Sequence, residues 1–134
     1  MKMTRLTLLL LAITAILMLT ACRTAPVLNV DNAPIPYTAD KALGMEKIQG
    51  AIIKAGTGLG WVMRPIKPGL IEASLNQRSH QAVVTITYTE NDYNIDYKSS
   101  YNLKYNGTKI HRNYNNWIIY LNKAINNQLA MATY

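Results

Sequence analysis

The chain has 134 residues, 49% hydrophobic and 16% charged, with one cysteine and a formal charge of +7. That length holds one small domain and excludes a two-domain enzyme. The composition excludes a disordered tail, and a lone cysteine excludes a disulfide scaffold.

Lys2 and Arg5 precede an uncharged run from Leu6 to Ala21, 16 residues rich in Leu, Ile and Ala. A membrane span needs about 20 residues. A basic start, a short apolar centre and small residues at its end read as a secretory signal over residues 1–21. Leu19-Thr20-Ala21-Cys22 resembles the bacterial lipobox, where a small residue precedes the cysteine that is acylated. The other reading is an uncleaved anchor helix with an incidental cysteine. The lipobox resemblance implies a diacylglycerol thioether on Cys22 and an acylated amine, with fatty acids of the palmitate kind. Each buried methylene contributes about 0.8 kcal/mol, so several chains anchor firmly. Arg23 stands where aspartate is the usual inner-membrane retention signal in enterobacteria. The resemblance therefore implies the outer membrane, facing the periplasm, with the periplasmic side of the inner membrane as the alternative.

Cleavage would remove Lys2 and Arg5 and lower the formal charge from +7 to +5. The remaining basic residues are scattered without a run of four, so nucleic acid is not expected as a partner. Positive charge of this kind serves solubility, or a mild attraction to acidic headgroups or polyanionic envelope glycans.

Residues 22–37 hold Pro26, Pro34 and Pro36 and no helical period. They read as the lipidated cysteine and a tether, of at most about 50 Å when extended, ahead of a single domain over 38–134. Thr38 or Asp40 is placed to cap a first helix reaching about Ala55, with Met45, Ile48, Ile52 and Ala55 as its apolar stripe. Gly56 is placed as its stop. The Gly56-x-Gly58-x-Gly60 run follows no strand and precedes no Lys-Ser/Thr, so a flexible connection is expected rather than a phosphate loop.

From Trp61 the period changes to two. Strands are expected over Trp61–Ile66, Leu70–Asn76, Gln81–Thr89 and Tyr93–Leu103, separated by turns at Lys67-Pro68-Gly69, Gln77-Arg78-Ser79 and Glu90-Asn91-Asp92. Tyr93, Ile95, Tyr97, Tyr101 and Leu103 are expected inward. Asn113 or Asn115 is placed to cap a last helix to about Ala130. The expected fold is α+β: a four-stranded antiparallel meander with both helices on its apolar face, in the order helix-β-β-β-β-helix. Trp61–Ile66 and Tyr93–Leu103 would be the edges.

Chemistry-bearing residues are few. His80 and His111 lack a second ligand at metal spacing, so no metal and no cofactor are expected. No nucleophile-elbow pattern surrounds the serines, and no pair of carboxylates is tied to a cleft, so catalysis is not expected and a hydrolase is the minority reading. Nine tyrosines and no phenylalanine leave two readings, a core floor or a ligand groove. The segment from Ile110 to Trp117 places His111 and Arg112 before a helix start, where free amides attract anions. It can equally be a structural junction in which Arg112 answers a carboxylate such as Asp96. The candidate binding residues are His111, Arg112, Tyr114, Lys98 and Asp96.

The lipobox, glycine-rich link, tyrosine-rich hairpin and Ile-His-Arg-Asn-Tyr-Asn-x-Trp junction resemble a group of small proteobacterial lipoproteins to which no activity is assigned. The similarity covers about residues 57–121 and the signal, and it implies an envelope address and a compact domain. It transfers no catalytic residue. The expected role is non-catalytic binding or scaffolding, toward another envelope protein or peptidoglycan. The alternative is a small-ligand or glycan-binding module using the tyrosines and the His111–Arg112 junction.

Overall fold

The computed structural model describes residues 4–21, 23–37 and 42–134. Cys22 and the expected caps Thr38 and Asp40 lie outside the described residues. The fold is α+β, with three helices and two antiparallel sheets, one of five strands. Helix α1 spans Arg5–Ala21, and its residues from Arg5 to Ala15 are exposed. No helix among the described residues is long and apolar enough to cross a membrane.

Helix α2 spans Met45–Gly58 and buries Ile48, Ala51, Ile52, Ala55 and Gly56. Gly44 stands at its N-cap without a side-chain hydrogen bond, and Glu46 meets the positive end of its dipole. Gly56 is not the stop. A Cβ there would meet the Met63 side chain, so its small size admits a neighbouring strand. The reversal falls at Gly60, whose φ of +88° suits a residue without Cβ, and the Trp61 amide donates to the Gly56 carbonyl at 3.0 Å.

Strands β3 (Val62–Lys67), β4 (Leu70–Gln77), β5 (His80–Tyr88) and β6 (Asp92–Tyr101) run in sequential antiparallel order. A fifth strand, β2 (Val30–Pro34), pairs with the free side of β6. β6 is therefore interior, and the edges are β2 and β3. A separate two-stranded sheet joins β1 (Thr24–Pro26) to β7 (Lys109–His111).

Residues 23–37 are thus part of the fold rather than a tether. Their prolines fit because β1 pairs on one side only and β2 is an edge strand, where a missing N–H costs no ladder bond. The segment also supplies apolar weight: Ile35 is buried, and Val27, Leu28, Val30 and Ala33 pack on the core. Asparagines hold it in place. The Leu28 amide donates to Asn115 Oδ1 (3.0 Å), the Tyr97 amide to Asn29 Oδ1 (3.0 Å), and the Asn32 amide to Asn94 Oδ1 (2.7 Å).

Helix α3 spans Arg112–Met131, with Tyr114, Ile118, Leu121, Ile125 and Leu129 as its buried stripe. Helices α2 and α3 pack against each other and cover one face of the large sheet. Hydroxyls fasten the layers together: Tyr88 donates to Gln49 Oε1 of α2 (2.8 Å), and Tyr93 meets Asn122 (2.6 Å) and Asn126 (2.8 Å) of α3.

A bulge between β5 and β6 changes which face the last residues occupy. Val84 pairs with Tyr97 but Val83 pairs with Ser99, leaving Lys98 as the extra residue. After it the alternation flips. Ser100 opposes buried Ala82 and turns in, while Tyr101, expected inward, opposes Gln81 and is 70% exposed. The outer face carries an ionic ladder in which Glu72 binds Arg64 and Lys98.

Candidate binding site

One end of the domain gathers the β4–β5 turn, the exit of β6, the sheet of β1 and β7, and the start of α3. His80 Nδ1 lies 2.7 Å from the Asn102 carbonyl, and Asn102 Nδ2 donates to Ser79 Oγ at 3.1 Å. The His111 amide donates to the Leu103 carbonyl at 2.8 Å, and the Arg112 amide to the Arg23 carbonyl at 3.0 Å. Asn106 Oδ1 accepts from the Thr108 (3.1 Å) and Lys109 (2.8 Å) amides, closing a tight turn over Gly107, whose φ is +101°.

This end is basic. Arg23, Arg78, Lys104, Lys109 and Arg112 are exposed there, with His80 and His111 half-buried among them. The described carboxylates lie elsewhere. Asp31, Glu72 and Asp96 sit along the strands, while Glu46, Glu90 and Asp92 mark the opposite end. Ion pairs among the described residues are confined to Glu72 with Arg64 and Lys98, so Arg112 does not answer Asp96.

His111 is the N-cap of α3, its Nδ1 accepting from the Asn113 amide at 3.2 Å. The expected caps Asn113 and Asn115 serve differently: Asn113 donates to the cap, and Asn115 clamps residues 26–28. Partial burial, then the charges of Lys104, His80 and Arg23, hold the His111 ring below the ordinary histidine pKa. A neutral ring is the form an acceptor cap requires.

Beside the basic end runs a continuous groove. A hollow of about 390 Å³ lies between Leu59–Trp61, Leu75–Gln77, Trp117 and Tyr120. It shares Gln77, Trp117 and Tyr120 with a second hollow of about 300 Å³ that extends to Arg78, His80, Asn113 and Asn116. Tyr120 is 59% exposed and Trp117 half-buried. Among the described residues the lining combines the aromatic rings of Trp61, Trp117 and Tyr120, several amide groups and a guanidinium, and includes no carboxylate. A hollow of about 530 Å³ at the opposite end is larger.

The five candidate residues do not form one site. His111 and Arg112 are at the basic end. Tyr114 lies beneath them, fully buried, its ring edge-on to Tyr97 at 5.6 Å. Its hydroxyl is the one buried side-chain polar atom without a partner among the described residues, and burial raises its pKa further from neutrality. Lys98 is held by Glu72 on the outer face. Asp96 stands near Asp31, and partial burial followed by that like charge raises its pKa. Among the tyrosines, Tyr88 and Tyr93 floor the core, whereas Tyr120, which sequence reasoning did not single out, lines the groove. Its cue is its place on α3, three residues after Trp117 and off the buried stripe.

No cluster of three or more His, Cys, Asp or Glu among the described residues is arranged to hold a metal ion. Comparison with protein-family models, curated proteins and solved structures finds no match.

Proposed function

We propose that this chain is a lipid-anchored envelope protein with a non-catalytic binding role, acylated on Cys22, whose groove takes a saccharide. The observation that carries the reading is the lining of the groove. Exposed aromatic faces pack against the apolar C–H faces of sugar rings, and amides and a guanidinium match their hydroxyl and carboxylate groups. The signal-like Leu6–Ala21 run and the Leu19-Thr20-Ala21-Cys22 sequence support the anchor and the outer-membrane address. Peptidoglycan strands and membrane-borne saccharide headgroups share this chemistry.

The test is titration of the purified acylated protein with soluble peptidoglycan fragments and, separately, with a lipid-linked saccharide in detergent. Saturable heat from one of them is expected, weakened about tenfold by Trp117→Ala or Tyr120→Ala, or about 1.4 kcal/mol. No saturable binding to either, or binding indifferent to both substitutions, overturns the saccharide reading.

A protein partner is the second reading, favoured by Val62 (63%) and Ile66 (47%), exposed on edge strand β3. Pro65 interrupts strand addition there, so contact would be through side chains. Crosslinking in living cells, with mislocalised Cys22→Ala as control, would capture a reproducible partner if this reading holds.

A further inference from the structure

We infer that the end of the domain carrying Arg23, Lys104, Lys109 and Arg112 seats directly on anionic phospholipid headgroups of the leaflet that holds the acyl chains. The inference rests on acylation of Cys22, and it adds an orientation and a partner surface to that reading.

The geometry comes from the absence of slack. Arg23 follows the anchored residue, and its carbonyl is already tied to the Arg112 amide at 3.0 Å. Thr24 pairs with His111 and Pro26 with Lys109. One residue spans at most about 3.6 Å. A diacylglyceryl group on Cys22 sits at headgroup depth, so the sheet of β1 and β7 is brought against the headgroups. A free tether of 15 residues would leave the domain to tumble, whereas a chain paired from Thr24 onward does not.

The charge is complementary. Four exposed cations, Arg23, Lys104, Lys109 and Arg112, stand at this end, with no carboxylate there among the described residues. The opposite end mixes Glu46, Glu90 and Asp92 with Lys47 and Lys67, so an anionic surface favours the end where cations stand without carboxylates. Lysines and arginines within a Debye length, about 8 Å at physiological salt, feel that surface most. The groove then opens beside the membrane, within reach of a membrane-borne saccharide.

The test uses the acylated protein reconstituted into vesicles of phosphatidylcholine alone, or with three parts in ten phosphatidylglycerol. Brief amine acetylation followed by mass spectrometry reads each lysine. On the anionic vesicles Lys104 and Lys109 are expected to react about tenfold more slowly than in detergent, and high salt restores them. Lys54 and Lys123, exposed on the helices, keep their rates. The same digest weighs the Cys22 peptide. A peptide without the lipid mass overturns acylation and the seating with it. A lipid-bearing peptide with Lys104 and Lys109 unprotected, or equally protected on phosphatidylcholine alone, overturns the charge-held seating while acylation stands.

Discussion

Two buried tyrosines show what a hydroxyl is worth in each setting. The Tyr93 hydroxyl, 2.6 Å from Asn122 and 2.8 Å from Asn126, has partners on α3, and burial pushes its pKa up to about 12. With a single proton it donates to one amide oxygen and accepts from the other side chain once that amide is turned. The Tyr114 hydroxyl has no partner among the described residues. An unsatisfied buried polar group costs about 1–3 kcal/mol, whereas a satisfied one contributes about 1 kcal/mol. Tyr93→Phe is therefore expected to lower stability by about 1 kcal/mol or more, and Tyr114→Phe to leave it unchanged or raise it, in denaturant unfolding. His111 supplies a pH dependence. Its pKa in the fold lies below the ordinary 6.5, so the neutral ring is favoured. The contribution is complete above 6.5 and is lost as pH falls through the depressed value, because a protonated Nδ1 no longer accepts from the Asn113 amide. Protection of the amides at the start of α3, measured as exchange relative to the intrinsic rate at each pH, should fall below pH 6.5. His111→Asn, which keeps an acceptor cap without titrating there, should remove the dependence.

Among the elements, the chain from Thr24 to Pro34 has the least sequence signal and a large part in the architecture. It closes one side of the main sheet and builds the small one. Asn115 fastens it to α3, its Oδ1 accepting from the Leu28 amide at 3.0 Å and its Nδ2 donating to the Pro26 carbonyl at 2.9 Å. Asn115→Ala should cost about 1–2 kcal/mol. It should also speed exchange at the Leu28 amide more than at β4 or β5, since only the clamp is removed. The β5–β6 bulge is the other decisive element. By inserting Lys98 it turns Tyr101 outward and brings Ser100 within 2.8 Å of the Tyr97 hydroxyl.

At the scale of the molecule, Thr24–Pro26 and Val30–Pro34 are strands of the two sheets. A chain cut to residues 38–134, the domain that the proline-rich segment suggests, would lose β1 and β2, unpair one side of β6 and uncover the core where Ile35 sits. Burial of one such isoleucine contributes about 1.5–3 kcal/mol, against a total margin of about 5–15 kcal/mol for small domains. That chain is expected to lose its cooperative thermal transition, and one beginning at Arg23 to keep it; calorimetry on both checks this. The molecule is also uneven in charge: one end holds five cations without a carboxylate among the described residues, and the other mixes Glu46, Glu90 and Asp92 with Lys47 and Lys67. The seating proposed above uses that asymmetry.

Local periodicity determined much by itself. The apolar run before Cys22, the helical stripes of Ile48–Ile52–Ala55 and Ile118–Leu121–Ile125, and the alternation through β4, β5 and most of β6 are visible because each reflects one buried face of one element. Their antiparallel order follows from short turns. What only the tertiary structure decided involves partners distant along the chain. Strands β1 and β2 become strands because β7 and β6 offer unpaired edges, and nothing in Thr24–Pro34 announces those edges. The phase flip at Tyr101 needs one strand laid against its neighbour. His111 as a cap, Asn115 as a clamp and Tyr120 in the groove likewise depend on what stands opposite them. The basic end is the clearest case: Arg23, Arg78, Lys104, Lys109 and Arg112 are scattered along the chain, and the hydrogen bonds joining Arg23 to Arg112, Leu103 to His111 and Ser79 to Asn102 make them neighbours.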